Sequence, residues 1–301
     1  MIRLVCYIVL LLMINTVSLM AKQYKELYHD YEILFCAGRA IYKISKKDAI
    51  SEIYTYSNNR VLSINGISLS SSLLIAFIEY EFDNNNIYSK FYTIDIKGNN
   101  LRFLIKQPFL CSKPAWSPDQ QMIAFVGSNK RGKDSLYILD VVTKKEKLLA
   151  KNIVKPASNL ILSWHPDGDK IIFDSINCSI LYVNVNNGNI NEIMKGDFSS
   201  LSKDGKTIIY RNCSNNIFYF SNVEDLKKKY TFFNKKTQIL GTVRSSMSWF
   251  TNNNLVCFHS YKESFFGKPQ SKIYIYNLSS KKIEKTIDIL TTSPTGACII
   301  Y

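Results

Sequence analysis

The sequence predicts an all-β chain folded as a six-bladed β-propeller, with four antiparallel strands in each blade. Three observations predict it. A tryptophan-and-turn unit recurs in a fixed register, and an apolar-Tyr strand recurs at blade-length intervals. Strand-forming aromatics are also abundant, at 19 Tyr and 17 Phe in 301 residues.

The first unit appears when Trp116-Ser117-Pro118-Asp119 and the strand Met122-Ile123-Ala124-Phe125 are set beside Trp164-His165-Pro166-Asp167-Gly168 and Lys170-Ile171-Ile172-Phe173. The register returns at Leu201-Ser202-Lys203-Asp204-Gly205, ending on Tyr210, and at Trp249-Phe250-Thr251-Asn252, ending on Phe258. Each time Asp or Asn lies three residues after the first position and an aromatic nine after it. All three tryptophans of the chain take this one slot.

The second unit opens on an apolar residue and Tyr: Ile41-Tyr42, Phe91-Tyr92, Leu136-Tyr137, Leu181-Tyr182, Phe218-Tyr219 and Ile273-Tyr274. The tyrosines are 50, 45, 45, 37 and 55 residues apart. That is the period of a four-stranded blade, so six tyrosines give six blades, with an incomplete seventh as the alternative. The second blade is the faintest, because Ser70-Ser71-Ser72 replaces the Pro-Asp-Gly turn, yet Leu74-Ile75-Ala76-Phe77 keeps the register.

The residue types suit these places. Pro118 and Pro166 preset the turn backbone, Asp119, Asp167 and Asp204 bond back to local amides, and Gly168 and Gly205 take the left-handed conformation of a tight hairpin. Trp116, Trp164 and Trp249 are broad apolar plates suited to the wedge between blades. A lone four-stranded sheet cannot bury both faces, whereas a ring of them can. For closure, Ala297 to Tyr301 is expected to supply the inner strand of the first blade. Glu32 to Cys36 competes for the same position.

The ends divide the chain into 1–21, 22–31 and 32–301. Met1-Ile2-Arg3, the uncharged apolar run Leu4 to Ile14 and the small or polar residues to Ala21 read as a signal peptide, with an uncleaved anchor as the alternative. Residues 22–31 form a short lead and 32–301 the propeller. In an oxidising compartment the cysteines matter. Cys36, Cys257 and Cys298 lie in apolar strand-like runs and read as buried thiols. Cys178 and Cys213 occupy equivalent turns of successive repeats. A bridge between them is conceivable, but adjacent blades are expected to splay apart at that radius.

The runs Trp116-Ser117-Pro118-Asp119 and Trp164-His165-Pro166-Asp167-Gly168, each followed by an Ile-Ala-Phe-like strand and a Leu-Tyr strand, resemble the WD40-like PD40 repeat of TolB-like propellers and of dipeptidyl peptidase IV relatives. The resemblance spans residues 32 to 301. It implies a TolB-like fold and, for function, protein binding in the cell envelope. TolB proteins carry an α/β domain before the propeller and the peptidases a hydrolase domain after it. Neither pattern is found here, and no Gly-x-Ser-x-Gly elbow occurs, so the reading is a stand-alone propeller.

Chemistry is weakly represented. His29, His165 and His259 fall in different parts of the ring at no metal-like spacing, so no metal or cofactor is expected. Asp119, Asp167 and Asp204 recur at one turn position, which suits a turn device better than a catalytic acid. Ser200-Leu201-Ser202-Lys203 contains Ser-x-x-Lys without its companion motifs. Asp83-Asn84-Asn85-Asn86 is too short for a calcium loop. The function expected is therefore binding, not catalysis, with a small-ligand or lyase-type use of the channel mouth as the alternative.

The formal charge of +14 is read first as lysines spread over solvated turns. Lys46-Lys47, Lys97, Lys144-Lys145, Lys227-Lys228-Lys229 and Lys281-Lys282 fall near turns at one end of the ring. That end would suit an acidic partner or a peripheral contact with an anionic membrane surface. Nucleic acid is not expected, because stacking aromatics do not interleave with the lysines. The partner expected is another protein, held by a monomeric ring through the long connections Glu79 to Lys90, Gly127 to Ser135 and His259 to Ser271. Tyr261, Phe265 and Phe266 are the contact candidates.

Overall fold

Strand residues alternate between two faces, and in this chain both faces are apolar. Ile171 and Phe173 pack toward the preceding blade, while Ile172 between them packs toward the following one. The computed structural model describes residues 32–46, 49–56, 60–128, 134–151, 153, 162–175, 177–232, 242–243, 247–250, 253–262, 270–289 and 299–300. Among these residues the chain forms six antiparallel sheets and no helix.

Blade one holds Ile33–Ala37, Ala40–Ile44 and Ile50–Thr55. Blade two holds Val61–Leu69, Leu74–Asp83, Asn86–Asp95 and Arg102–Gln107. Blade three runs Ala115–Trp116, Met122–Ser128, Asp134–Asp140, Glu146–Ala150, and blade four Leu162–Trp164, Lys170–Asp174, Ser179–Asn184, Ile190–Lys195. Blade five comprises Asp197–Leu201, Thr207–Asn212, Ile217–Asn222 and Asp225–Thr231. In blade six the inner strand is split into Thr242–Val243 and Ser248–Trp249, both paired with Leu255–Lys262, which is followed by Gln270–Asn277 and Lys282–Ile289.

Six buried clusters fill the six junctions. The ring closes where Phe35 and Ile33 of blade one meet Cys257, Ile273 and Ile275 of blade six. The closing strand is Ile299–Ile300, which pairs with Ile33 and Leu34 at the inner edge of blade one. The expected competition with Glu32 to Cys36 does not arise: Ile33–Ala37 is the second strand of that sheet and the C-terminal strand is its first. Four consecutive antiparallel strands need a first strand, and the far end of the chain provides it.

The two recurrent units meet on one face. Phe35 lies opposite Tyr42, Phe77 opposite Tyr92, Phe125 opposite Tyr137, Tyr210 opposite Tyr219, and Phe258 opposite Tyr274. Their rings stack at 5.3–5.9 Å between centroids. Such cross-strand aromatic pairs stabilise a sheet beyond simple burial. Blade four departs, with Tyr182 opposite Ile172. The tryptophans also tie blades together. The indole N–H of Trp116 donates to the Ser68 carbonyl at 3.1 Å, that of Trp164 to Ala115 at 2.9 Å, and that of Trp249 to Ser200 at 3.3 Å.

A turn device absent from the sequence reading closes the third strand. Asp95, Asp140, Asn184, Asn222 and Asn277 each accept a backbone N–H from the turn that follows, as Asp140 does from Val142 and Thr143. The next positions press on the preceding blade. Gly98 has φ +83°, and a β-carbon there would lie 2.4 Å from the Ile53 carbonyl oxygen. Lys144 donates to the Phe103 carbonyl at 2.8 Å, and Lys281 sits 5.4 Å from the Tyr230 ring centroid. Some lysines of the expected basic end are therefore folded against neighbouring blades.

Two other expectations change. Glu79 to Lys90 is not a loop: it is the end of a long hairpin whose strands run to Asp83 and from Asn86. Cys178 and Cys213 are joined by a disulfide, with Cα atoms 6.4 Å apart. Both lie in turns between second and third strands, where blades four and five approach closely enough for the bond. At the same end Glu79 is fully buried between blades one and two and accepts a 2.8 Å hydrogen bond from Tyr54. Burial raises its carboxyl to about 7, against the lowering pull of Tyr54, Lys90 and Tyr92.

Three measurements follow. The Cys178–Cys213 bridge spans a separation of 35 residues, and reduction or Cys178→Ser is expected to cost about 3–4 kcal/mol in denaturant unfolding. Unchanged midpoints would remove that role. Gly98→Ala combines an unfavourable φ with a backbone clash and is expected to cost about 1–3 kcal/mol; a neutral effect would contradict the packing. The raised Glu79 pKa means the folded state keeps a proton that the unfolded chain loses near 4.5. Stability from this group is therefore greatest at low pH and declines as pH rises through about 7. Glu79→Gln should flatten that part of the Tm profile, and parallel wild-type and variant profiles would refute it.

Candidate functional site

The inner strands converge on the ring axis, and each is hydrogen-bonded to its own sheet on one side only. At the end carrying the turns between first and second strands they surround a cavity of about 350 Å³. Among the described residues its wall comes from blades two to six and from the connection into blade three. Eight wall residues are serine, from Ser68 in blade two to Ser248 in blade six.

The rim is held by bonds between blades. Ser72 N–H donates to Gln120 Oε1 at 2.9 Å, Lys203 N–H to Asn253 Oδ1 at 2.9 Å, and the Ser200 hydroxyl to the Met247 carbonyl at 2.6 Å. Ser200 is thus engaged across a blade junction, which leaves the Ser-x-x-Lys pattern without a nucleophile geometry. Within the turns, Ser117 Oγ donates to Asp119 at 2.5 Å and Ser202 Oγ to Asp204 at 2.6 Å. Each Asp then accepts a backbone N–H, from Gln121 and Lys206. The Ser202 hydroxyl and Lys206 amide hold the Asp204 carboxyl below the usual carboxylate range.

Blade four differs. His165 replaces the serine, and its Nδ1 lies 3.3 Å from Asp167 Oδ2 and 3.8 Å from Asp169 Oδ1. The three side chains offer one ligand atom each within 4.8 Å of one another. Asp169 also pairs with Lys170 at 2.9 Å. Sequence spacing between histidines missed this local group, because its other members are carboxylates of the same turn.

Among the described residues the charged side chains that line the wall are those of Lys113 and Lys203. Lys203 is open to water yet stands within the protein walls of the mouth. The exposure belongs to an open mouth, and the surrounding ring pushes its ammonium below the ordinary lysine value by desolvation. Lys203 occupies the slot that holds Pro118 and Pro166 in sibling turns. Blade six has Thr251 at that slot, so the sequence carried no clear signal for the lysine.

The predicted repeat residues gather at this end. Trp116, Trp164, Trp249, Pro118 and Pro166 line the cavity. Asp119, Asp167, Gly168, Asp204 and Gly205 lie in the turns beside it. The contact candidates do not join them. Tyr261 lies on the second strand of blade six, opposite Thr242 and Ser271, toward the other end. Phe265, Phe266, His29 and Cys298 lie outside the described residues. His259 is buried, with Nε2 2.5 Å from Ser271 Oγ.

Comparison with known structures agrees with the ring. TolB from Acinetobacter baumannii superposes with a TM-score of 0.72 at 15% identity, covering 91% of this chain and 67% of that one. A chain of a nidogen–laminin complex gives 0.64 at 9% identity, covering 90% and 98%. Oligogalacturonate lyase in complex with manganese gives 0.55 at 12%, covering 80% and 72%. At these identities the likeness concerns the fold. No curated protein matches the chain by sequence. The family model described as PD40, TolB β-propeller domain, matches residues 42–264, and with six four-stranded blades around one axis the chain belongs to that family.

Proposed function

We propose that the chain is an exported binding scaffold of the cell envelope that holds a segment of another protein in the channel mouth. The observation that carries this reading is the recess itself. Inner strands of five blades converge on it, and its rim turns are tied blade to blade. A preformed concavity on rigid elements spares a partner much of the ordering cost of binding. The nidogen–laminin complex supports a propeller's use as a protein-binding ring. The apolar run from Leu4 to Ile14 supports export.

Among the described residues the mouth offers hydroxyls, two lysine side chains and three indoles, without a convergent acid, base and nucleophile, which favours binding over turnover. Tyr261, Phe265 and Phe266 remain the second set of contact candidates in this reading.

The test is affinity capture from envelope extract of the source cells with three forms of the mature chain. Ser163→Arg with Ser248→Arg obstructs the mouth, and Tyr261, Phe265 and Phe266 changed to Ala removes the aromatic candidates. The expected result is one partner retained by wild type and by the aromatic variant, and lost at least tenfold by the obstructed one. Loss with the aromatic variant alone would move the site to those aromatics. Capture unaffected by either change would overturn the reading.

A further inference from the structure

Two replacements set the first turn of blade four apart from its siblings. Where blades three and five carry Ser117 and Ser202, it carries His165, and where they carry Gln121 and Lys206, it carries Asp169. Asp167 keeps the place of Asp119 and Asp204. In the sibling turns the serine hydroxyl donates to the shared Asp. Here an imidazole stands in the hydroxyl's place, and a second carboxylate has joined it.

The three side chains offer one ligand atom each within 4.8 Å of one another, and no other such group of three occurs among the described residues. His165 Nδ1 lies 3.3 Å from Asp167 Oδ2 and 3.8 Å from Asp169 Oδ1. Nitrogen and oxygen ligands bound to one zinc ion at their usual lengths stand about 3.4 Å apart. The turn therefore holds its three ligand atoms close to that spacing already.

Two further observations point to a cation between them. Asp169 Oδ1 is buried and has no hydrogen-bond partner among the described residues, while Lys170 takes the other oxygen, Oδ2, at 2.9 Å. A buried acceptor without a donor is costly to keep. The Asp167 N–H points at His165 Nδ1 from 3.4 Å, which marks that nitrogen as the one carrying the lone pair. Acceptor thus faces acceptor across the group. A proton on Nδ1 serves one of the two carboxylates at a time, whereas a divalent ion serves both. The ring is also held from the far side. A β-carbon on Gly205 of blade five would lie 3.0 Å from His165 Nε2 and 2.8 Å from the Pro166 ring, so the next blade leaves a place for the imidazole.

We propose that His165, Asp167 and Asp169 form a site for one divalent transition-metal ion of the zinc class, on the rim of the channel mouth, with water completing its coordination. Pro166 of the same turn lines the mouth, and the exposed Asp167 gives the ion its way in. One imidazole with two carboxylates suits zinc or cobalt better than calcium or magnesium, which favour oxygen ligands throughout. Lys170 orients Asp169 and also repels the ion, which keeps the affinity moderate. The site stands whether or not the mouth holds a protein segment.

The experiment titrates Zn²⁺ into the full mature chain, free of affinity tags and stripped of metal, with Ca²⁺ and Mg²⁺ as controls. Calorimetry should show one saturable equivalent of zinc and little heat from either control. His165→Ser and Asp169→Gln each copy a residue of a sibling turn, so the ring holds them elsewhere without harm. Each should weaken zinc roughly tenfold or more, and Asp167→Asn should weaken it as well. Circular dichroism establishes that the variants keep the ring. As a readout independent of affinity, Co²⁺ should give visible d–d absorption with wild type that both sibling-copy variants lose. Zinc should also raise the unfolding midpoint of wild type and leave that of His165→Ser unmoved.

Equal zinc binding by wild type and His165→Ser would overturn the proposal, as would wild type without a saturable equivalent. Calcium bound as tightly as zinc, with no loss in His165→Ser, would overturn it in favour of a site made of carboxylates alone.

Discussion

A four-stranded sheet with two apolar faces has nowhere to put the second one. Everything else in this protein answers that constraint. Each blade covers one face on the blade before it and the other on the blade after it, and six buried clusters result. The requirement has no natural end, because a first or last blade would always expose a face. Closing the ring removes the ends, and pairing Ile299–Ile300 with Ile33 and Leu34 ties the two chain termini into one sheet. The aromatic ladder, the indole bonds and the turn contacts fix how far each blade rotates against its neighbour.

The channel mouth is a by-product of the same constraint. Serine and proline occupy many of the positions where the inner strands converge on the axis. The tryptophans then serve twice. Their rings fill the wedges between blades, and their edges form part of the cavity wall. Because rim turns recur, a departure in one turn stands out against its siblings. His165 replaces a hydroxyl that would have bound Asp167, and Lys203 replaces a proline, so two of the turns differ chemically within a common backbone.

Much of the fold was legible because repeats repeat their reasons. Trp116, Trp164 and Trp249 mark one place, the apolar-Tyr pairs mark another, and together they give blade number and strand order. Features that depend on one blade meeting another were less legible. Cys178 and Cys213 are 35 residues apart, and their bond depends on how blades four and five tilt. Glu79 looked like a loop residue and is instead a buried carboxyl in an extended hairpin. Lys113 and Lys203 carry no local pattern, and they become a pair only because the axis brings blade five and the entry to blade three to one cavity.

The amino-acid sequence by itself determined the unit and its count: local turn chemistry, strand alternation and the aromatic slots are short-range properties, readable within a window of one blade. Only the tertiary structure decided which strand completes the first blade, which cysteines bond, and what lines the mouth. Those outcomes depend on the angle and distance between blades, set by packing summed around the whole ring, and no segment of the chain contains them alone.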